Sequence, residues 1–97
     1  MATYALFEIE WHDQNKAKEY RDAFSQVLER HGGKTLCAGP PQVIEGGWNP
    51  ARVVILEFPT TAAFREWYAS ADFAPVLKLR HEGATTKSVI LVEGPVR

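Results

Sequence analysis

Residues 3–12 alternate. Ala5, Phe7, Ile9 and Trp11 form one row, and Tyr4, Leu6, Glu8, Glu10 and His12 form the other. A period of two predicts a strand with one apolar and one mixed face. Asp13 then offers a side-chain oxygen for a helix start. Ala17, Tyr20, Phe24, Val27, Leu28 and His31 recur at helical spacing, with charged residues elsewhere on the wheel. The segment is an amphipathic helix of about five turns. Arg21 falls at the edge of the stripe, where its stem lies on the core and its head reaches water. Gly32 and Gly33 close the helix, because glycine accepts the left-handed conformation of a C-cap.

Residues 34–38, KTLCA, read as a short strand that Gly39, Pro40 and Pro41 break. Residues 42–45 read as a short extended return, followed by the turn cluster EGGWNP. The strand after it is the most hydrophobic in the chain. Val53, Ile55 and Glu57 point one way; Arg52, Val54, Leu56 and Phe58 point the other. Apolar residues on both sides mark a central strand covered on both faces. Pro59 ends it, and Thr60 or Thr61 caps a helix with Ala63, Phe64, Trp67, Tyr68 and Ala71 on its buried stripe. Residues 70–72 interrupt the period. Asp72 is the expected cap of a second short helix, with Pro75 in its first turn. Phe73, Val76, Leu77 and Arg80 share one side of it, and Gly83 stops it. Residues 87–93, KSVILVE, form the last strand.

The order β-α-β-β-α-β, with the second helix broken, predicts an α+β ferredoxin-like fold. Its four-stranded antiparallel sheet carries the helices on one face, in one domain over residues 1–97. The other face is expected to hold Glu8, Glu10, His12, Ile55, Glu57 and one row of the last strand. So much exposed apolar surface is more than a soluble monomer usually tolerates. A second copy is the expected cover, in an isologous homodimer.

Composition removes several function classes. The net charge is −1 and the 11 Lys and Arg are scattered, so no nucleic-acid partner is expected. The single Cys37 excludes an intramolecular disulfide and points to a reducing compartment. The start, MATYALFEIEWH, lacks the pattern of a signal peptide. No run approaches the roughly 20 apolar residues of a membrane helix. The expected location is cytoplasmic, with no membrane partner. Glu8 and His12 share a strand face but stand about 13 Å apart at the ordinary strand rise, so no metal is expected, and no cofactor. His31 at a helix C-terminus is explained by the helix dipole. Cys37 has no activating base in view. No nucleophile triad is legible, and catalytic residues remain unassigned.

Several segments in order carry a family resemblance. They are HGG at 31–33, IEGGWNP at 44–50, RVVILEFP at 52–59, Trp67-Tyr68, Ser70 and Arg80. Together they resemble the DUF1330 family over nearly the whole chain. The resemblance implies a dimeric α+β barrel: two ferredoxin-like subunits, with a small cavity between sheet and helices or between sheets. The chain departs from the pattern at residues 37–41, CAGPP, where the family carries an arginine near paired glycines.

The residues themselves suggest one recess. Glu57 interrupts an apolar row, and a buried carboxylate must be paired or neutralised. Arg80 is the nearest cation by topology. Tyr68 sits on an apolar stripe with a hydroxyl that needs a partner. Glu45 and Trp48 stand in the excursion beside it. These five residues are the candidate site for a small acidic or aromatic molecule. A closed Glu57–Arg80 bridge, a Glu45–Arg52 ion pair and a Trp48 dimer anchor are the structural alternatives. Three functions stay open: a small-molecule binding module, a cofactor-independent oxygenase or isomerase, and a structural dimer without ligand.

Overall fold

The computed structural model describes residues 2–95. The strands are β1 (Ala2–Trp11), β2 (Lys34–Gly39), β3 (Val53–Phe58) and β4 (Ala84–Gly94). The helices are α1 (Gln14–Arg30), α2 (Thr61–Tyr68) and α3 (Ala74–Gly83). The strands form one antiparallel sheet in the order β2-β3-β1-β4. This is the ferredoxin-like arrangement.

Alternation places the core. Thr3, Ala5, Phe7 and Ile9 of β1 and Leu56 and Phe58 of β3 are buried under the helices. Trp67 of α2 is fully buried among rings, with centroids 4.2 Å from Phe73, 5.3 Å from Phe58 and 5.8 Å from Phe24. Tilted and edge-on contacts of this kind add to the burial itself. The opposite rows, Tyr4, Leu6, Glu8, Val53, Ile55 and Glu57, face away from the helices. Beside them on β4, Ile90 and Val92 are 49% and 45% exposed.

The helix ends follow the sequence. Asp13 accepts from the amides of Asn15 and Lys16 at 3.0 and 3.1 Å. At the other end of α1, Gly32 has φ +80° and Gly33 donates to the Leu28 carbonyl. Thr60 caps α2 by accepting from the Ala63 amide at 3.0 Å. Asp72 does not cap α3. The Ser70 hydroxyl accepts from the Phe73 amide instead, and Asp72 turns to the end of α1.

Two other expectations are corrected. Residues 42–45 form no strand; the whole stretch 40–52 is irregular. Pro40 and Pro41 remove ladder donors, and Gly46 has φ +101°, so the chain loops rather than pairs. The last strand begins at Ala84, three residues before Lys87, directly after α3. Both outer strands carry an irregularity. In β2, Thr35 faces Leu56 and Cys37 faces Ile55, which leaves Leu36 as an extra residue. In β4, Thr86 faces Ile9 and Ser88 faces Glu8, which leaves Lys87 unmatched.

The tight approach at the end of α1 gives a test. A Cβ on Gly33 would lie 2.5 Å from Leu28 Cδ1 and 2.6 Å from Phe58 Cε2. Gly33→Ala should destabilise by about 1–3 kcal/mol, the usual range for overpacking. Gly47, where a Cβ meets nothing within 4 Å, should tolerate alanine within about 0.5 kcal/mol. Urea denaturation of the two variants beside the parent measures both, and equal midpoints would contradict the packing described.

Candidate functional site

A cavity of about 260 Å³ lies between α1 and the helix-facing side of the sheet. Its floor is the alternating row Phe7, Ile9 and Trp11 of β1, with Val54 of β3. Tyr20 and Phe24, one helical turn apart on α1, form the roof. Arg21 and Ser25, next to them on α1, and Thr35 and Ala38 of β2 are exposed and form the mouth. The extra residue in β2 lets Ala38 reach the helix-facing side opposite Val54. Arg52, just before β3, completes the wall. Among the described residues no carboxylate or imidazole lines this space.

Tyr20 is 7% exposed, and burial pushes its hydroxyl above the usual phenol range, while the neighbouring Arg80 pulls the other way. Arg80 is fully buried. It donates through Nη1 to the Tyr20 hydroxyl at 3.3 Å and through Nη2 to the Tyr68 hydroxyl at 2.6 Å. Its Cζ lies 5.2 Å from the centre of the Phe7 ring and 5.7 Å from that of Tyr68, a cation–π arrangement.

The structure divides the five candidate residues. Tyr68 and Arg80 come together on the helix side of the sheet. Glu57 does not join them. Leu56 and Phe58 face the helices, so alternation turns Glu57 to the opposite side. There Lys34 Nζ, at 3.0 Å, holds its carboxyl below the usual range, with burial opposing. Glu57 in turn raises the Tyr4 phenol across the β1–β3 pair. Trp48 lies on that same open side, donating through Nε1 to Glu8 at 3.0 Å. Together with Leu6, Cys37, Val53, Ile55 and the two prolines at 40–41 it borders a shallow recess. Glu45 is exposed in the excursion, while Arg52 turns to the α1 cavity, so the expected pair between them is not formed. The single recess and the Glu57–Arg80 contact are therefore replaced by two separate surfaces.

The α1 cavity was hidden in the helical stripe. Tyr20 and Phe24 read as plain core. The usable signal was Tyr20 itself, a hydroxyl on an apolar stripe, the same feature that singled out Tyr68.

His31 serves the packing of helices. Its Nε2 lies 3.1 Å from Asp72 Oδ1, and Arg30 Nη1 lies 3.2 Å from Oδ2. Ser70 and His31 hold the Asp72 carboxyl at about 2. The Ser70 hydroxyl also donates to the Trp67 carbonyl at 2.7 Å, so the imidazole is the partner with settled geometry.

Sheet order, helix layer and cavity define a ferredoxin-like α+β protein with a small apolar chamber under its first helix. The chain belongs to the DUF1330 family, described as a domain of unknown function, whose sequence profile matches residues 2–95. No curated protein sequence matches it. It is similar to a solved protein of unknown function from Rhodopseudomonas palustris, at 21% identity over 99% of this chain and 83% of that one, with a TM-score of 0.74. A dimeric ferredoxin-like protein of unknown function from Jannaschia sp. CCS1 matches at 13% identity over 97% of this chain and 100% of that one, TM-score 0.72. SnoaB from Streptomyces nogalater, a cofactor-independent oxygenase, matches at 14% identity over 99% and 93%, TM-score 0.64. At these identities the likeness is one of fold. No helix of the described residues is long and apolar enough to cross a membrane.

The Asp72 contacts give a pH prediction. A carboxyl held at about 2 against an ordinary 3.8 stabilises the fold above the higher value and loses that contribution as pH falls toward the lower. Asp72→Asn should be less stable than the parent at pH 5, and the gap should close between about pH 4 and pH 2. Urea midpoints across that range measure it; a constant gap would refute the assignment.

Proposed function

We propose that this protein is a small-molecule binding module whose ligand, a compact aromatic molecule, occupies the cavity between α1 and the sheet. The observation that carries this reading is the make-up of the wall. Rings of Phe7, Trp11, Tyr20 and Phe24 border a space of about 260 Å³, with a few polar groups at its rim. A concave apolar site with a small number of placed polar groups is the usual form of a ligand pocket. Its volume lies just below the ordinary range for drug-sized molecules, which favours one or two fused rings. Tyr68 and Arg80 contribute through Tyr20. Trp48 and Glu57 belong to a second surface, suited to a partner rather than to this ligand, and Glu45 is exposed in the excursion outside the cavity.

The likeness to SnoaB, a cofactor-independent oxygenase, raises an oxygenase reading for the same space. The wall favours binding over proton-transfer chemistry, because a general base must stand within hydrogen-bond reach of its proton. Tyr20 is the lining residue with a titratable hydroxyl, and its shift is in the direction that keeps the proton.

The open sheet face is the surface for a second copy. Leu6, Ile55, Ile90 and Val92 form an apolar field there, and two of the similar solved structures are described as dimeric. An isologous pairing would use the same field twice. Ile55→Lys should shift the protein to monomer at micromolar concentration, as read by analytical ultracentrifugation; a parent that is itself monomeric would end this part of the reading.

The ligand reading is tested by nitrogen–proton correlation spectra with a panel of phenols, naphthols and their acids and amides. Shifts should cluster at residues 7–11, 20–25 and 52–54. Ala38→Trp, which fills the mouth, should abolish them while leaving the fold intact. Absence of any shift at millimolar ligand, or shifts confined to the open face, would overturn the reading.

A further inference from the structure

Arg80 and Thr3 are the buried polar side chains among the described residues, and Arg80 carries the charge. A buried charge normally has a paired counter-charge. Arg80 has two phenol oxygens instead, and its Nε has no hydrogen-bond partner. Each phenol accepts from the guanidinium and keeps its own O–H to donate. Nearby, the Trp67 ring packs at 6.4 Å against Phe7 and 5.7 Å against Tyr68, and its buried Nε1 is also without a partner. The two phenol oxygens already accept from Arg80, and the polar atoms of this layer left without a partner, Arg80 Nε and Trp67 Nε1, are donors. The element that would complete it is an acceptor bearing negative charge.

Phe7 and Tyr20 belong both to the surroundings of Arg80 and to the wall of the α1 cavity. The rim adds charge of the same sign through Arg21 and Arg52. We propose that the cavity selects anions: its ligand is a planar aromatic acid whose carboxylate or enolate oxygen accepts a hydrogen bond from the Tyr20 hydroxyl, with Arg80 behind that hydroxyl supplying the balancing charge. The inference rests on the ligand reading of the α1 cavity and adds the chemical class of the ligand to it. Burial keeps Tyr20 in its neutral, donating form. That leaves the Arg80 charge for the ligand rather than for a tyrosinate. A guanidinium paired with no carboxylate and fixed by two phenols is preorganised for this task, so little is lost to ordering when the anion arrives.

The test uses the whole protein at pH 7 with two probes of one shape, 2-naphthoate and the uncharged 2-naphthamide, titrated by calorimetry. The parent should bind the naphthoate about tenfold more tightly, the size of effect expected for a hydrogen bond to a charged group. Tyr20→Phe and Arg80→Met should each reduce that preference to about twofold, with naphthamide affinity changed by less than about threefold. Arg80→Met replaces an unbalanced buried cation by an apolar side chain of similar reach; should it fail to fold, Tyr20→Phe decides alone. Equal affinity of the parent for both probes would overturn anion selection and leave the cavity reading standing. Failure of both probes to bind would overturn both. Full preference retained in Tyr20→Phe would assign the selectivity to the rim arginines and overturn the role given to the Tyr20–Arg80 pair.

Discussion

β1 and β3 lie side by side at the centre of the sheet, and both carry apolar residues on both faces. Helices cover one face only. On that side Phe7, Leu56 and Phe58 meet Trp67, Phe64 and Phe73 in a closed aromatic layer. Burial of each such side chain contributes roughly 1.5–3 kcal/mol, so this layer accounts for much of the fold's stability. On the other side the same alternation leaves Leu6, Ile55 and Ile90 without a helix. The strict period of two also sends Glu57 away from Arg80, since a residue cannot change face without a slip in register.

Within the covered side, the layer is uneven. Where α2 and α3 lie, rings fill the space. Where α1 crosses toward the short edge strand β2, the filling stops at Tyr20 and Phe24, and the α1 cavity remains. Arg80 stands where the filled region meets the open one. Placing a cation there costs desolvation energy that phenol oxygens and ring faces only partly offset. Such an arrangement is difficult to explain by stability, because an apolar side chain of similar size would pack as well or better.

The strands, the helices and their ends were legible because each rests on local rules. Asp13, Thr60 and Gly32 act where their chemistry predicts. The inside and outside rows of β1 and β3 follow from period alone. What the chain did not disclose is long-range. Asp72 looked like a cap because nothing local announces that Arg30 and His31 arrive beside it. Residues 42–45 looked extended, yet two prolines and a glycine turn left them no strand to pair with. Charge and chain order bring Glu57 and Arg80 near each other, but the two lie on opposite sides of the sheet, Glu57 with Lys34 and Arg80 with two phenols. The α1 cavity could not be seen because an empty space is a property of how two elements cross. Neither element's pattern records it.

Leu36 in β2 and Lys87 in β4 sit in the two strands that end the sheet on either side. An extra residue puts the free amides and carbonyls of an edge out of step with any incoming strand. Lys87 also brings a charge to its edge, 3.9 Å from Glu10. Growth of the sheet sideways, from molecule to molecule, is thereby discouraged at both ends. The flat side is what the proposed pairing uses, and contact there between two copies would use up the surface that made it. Such a pair would close without seeding a fibre.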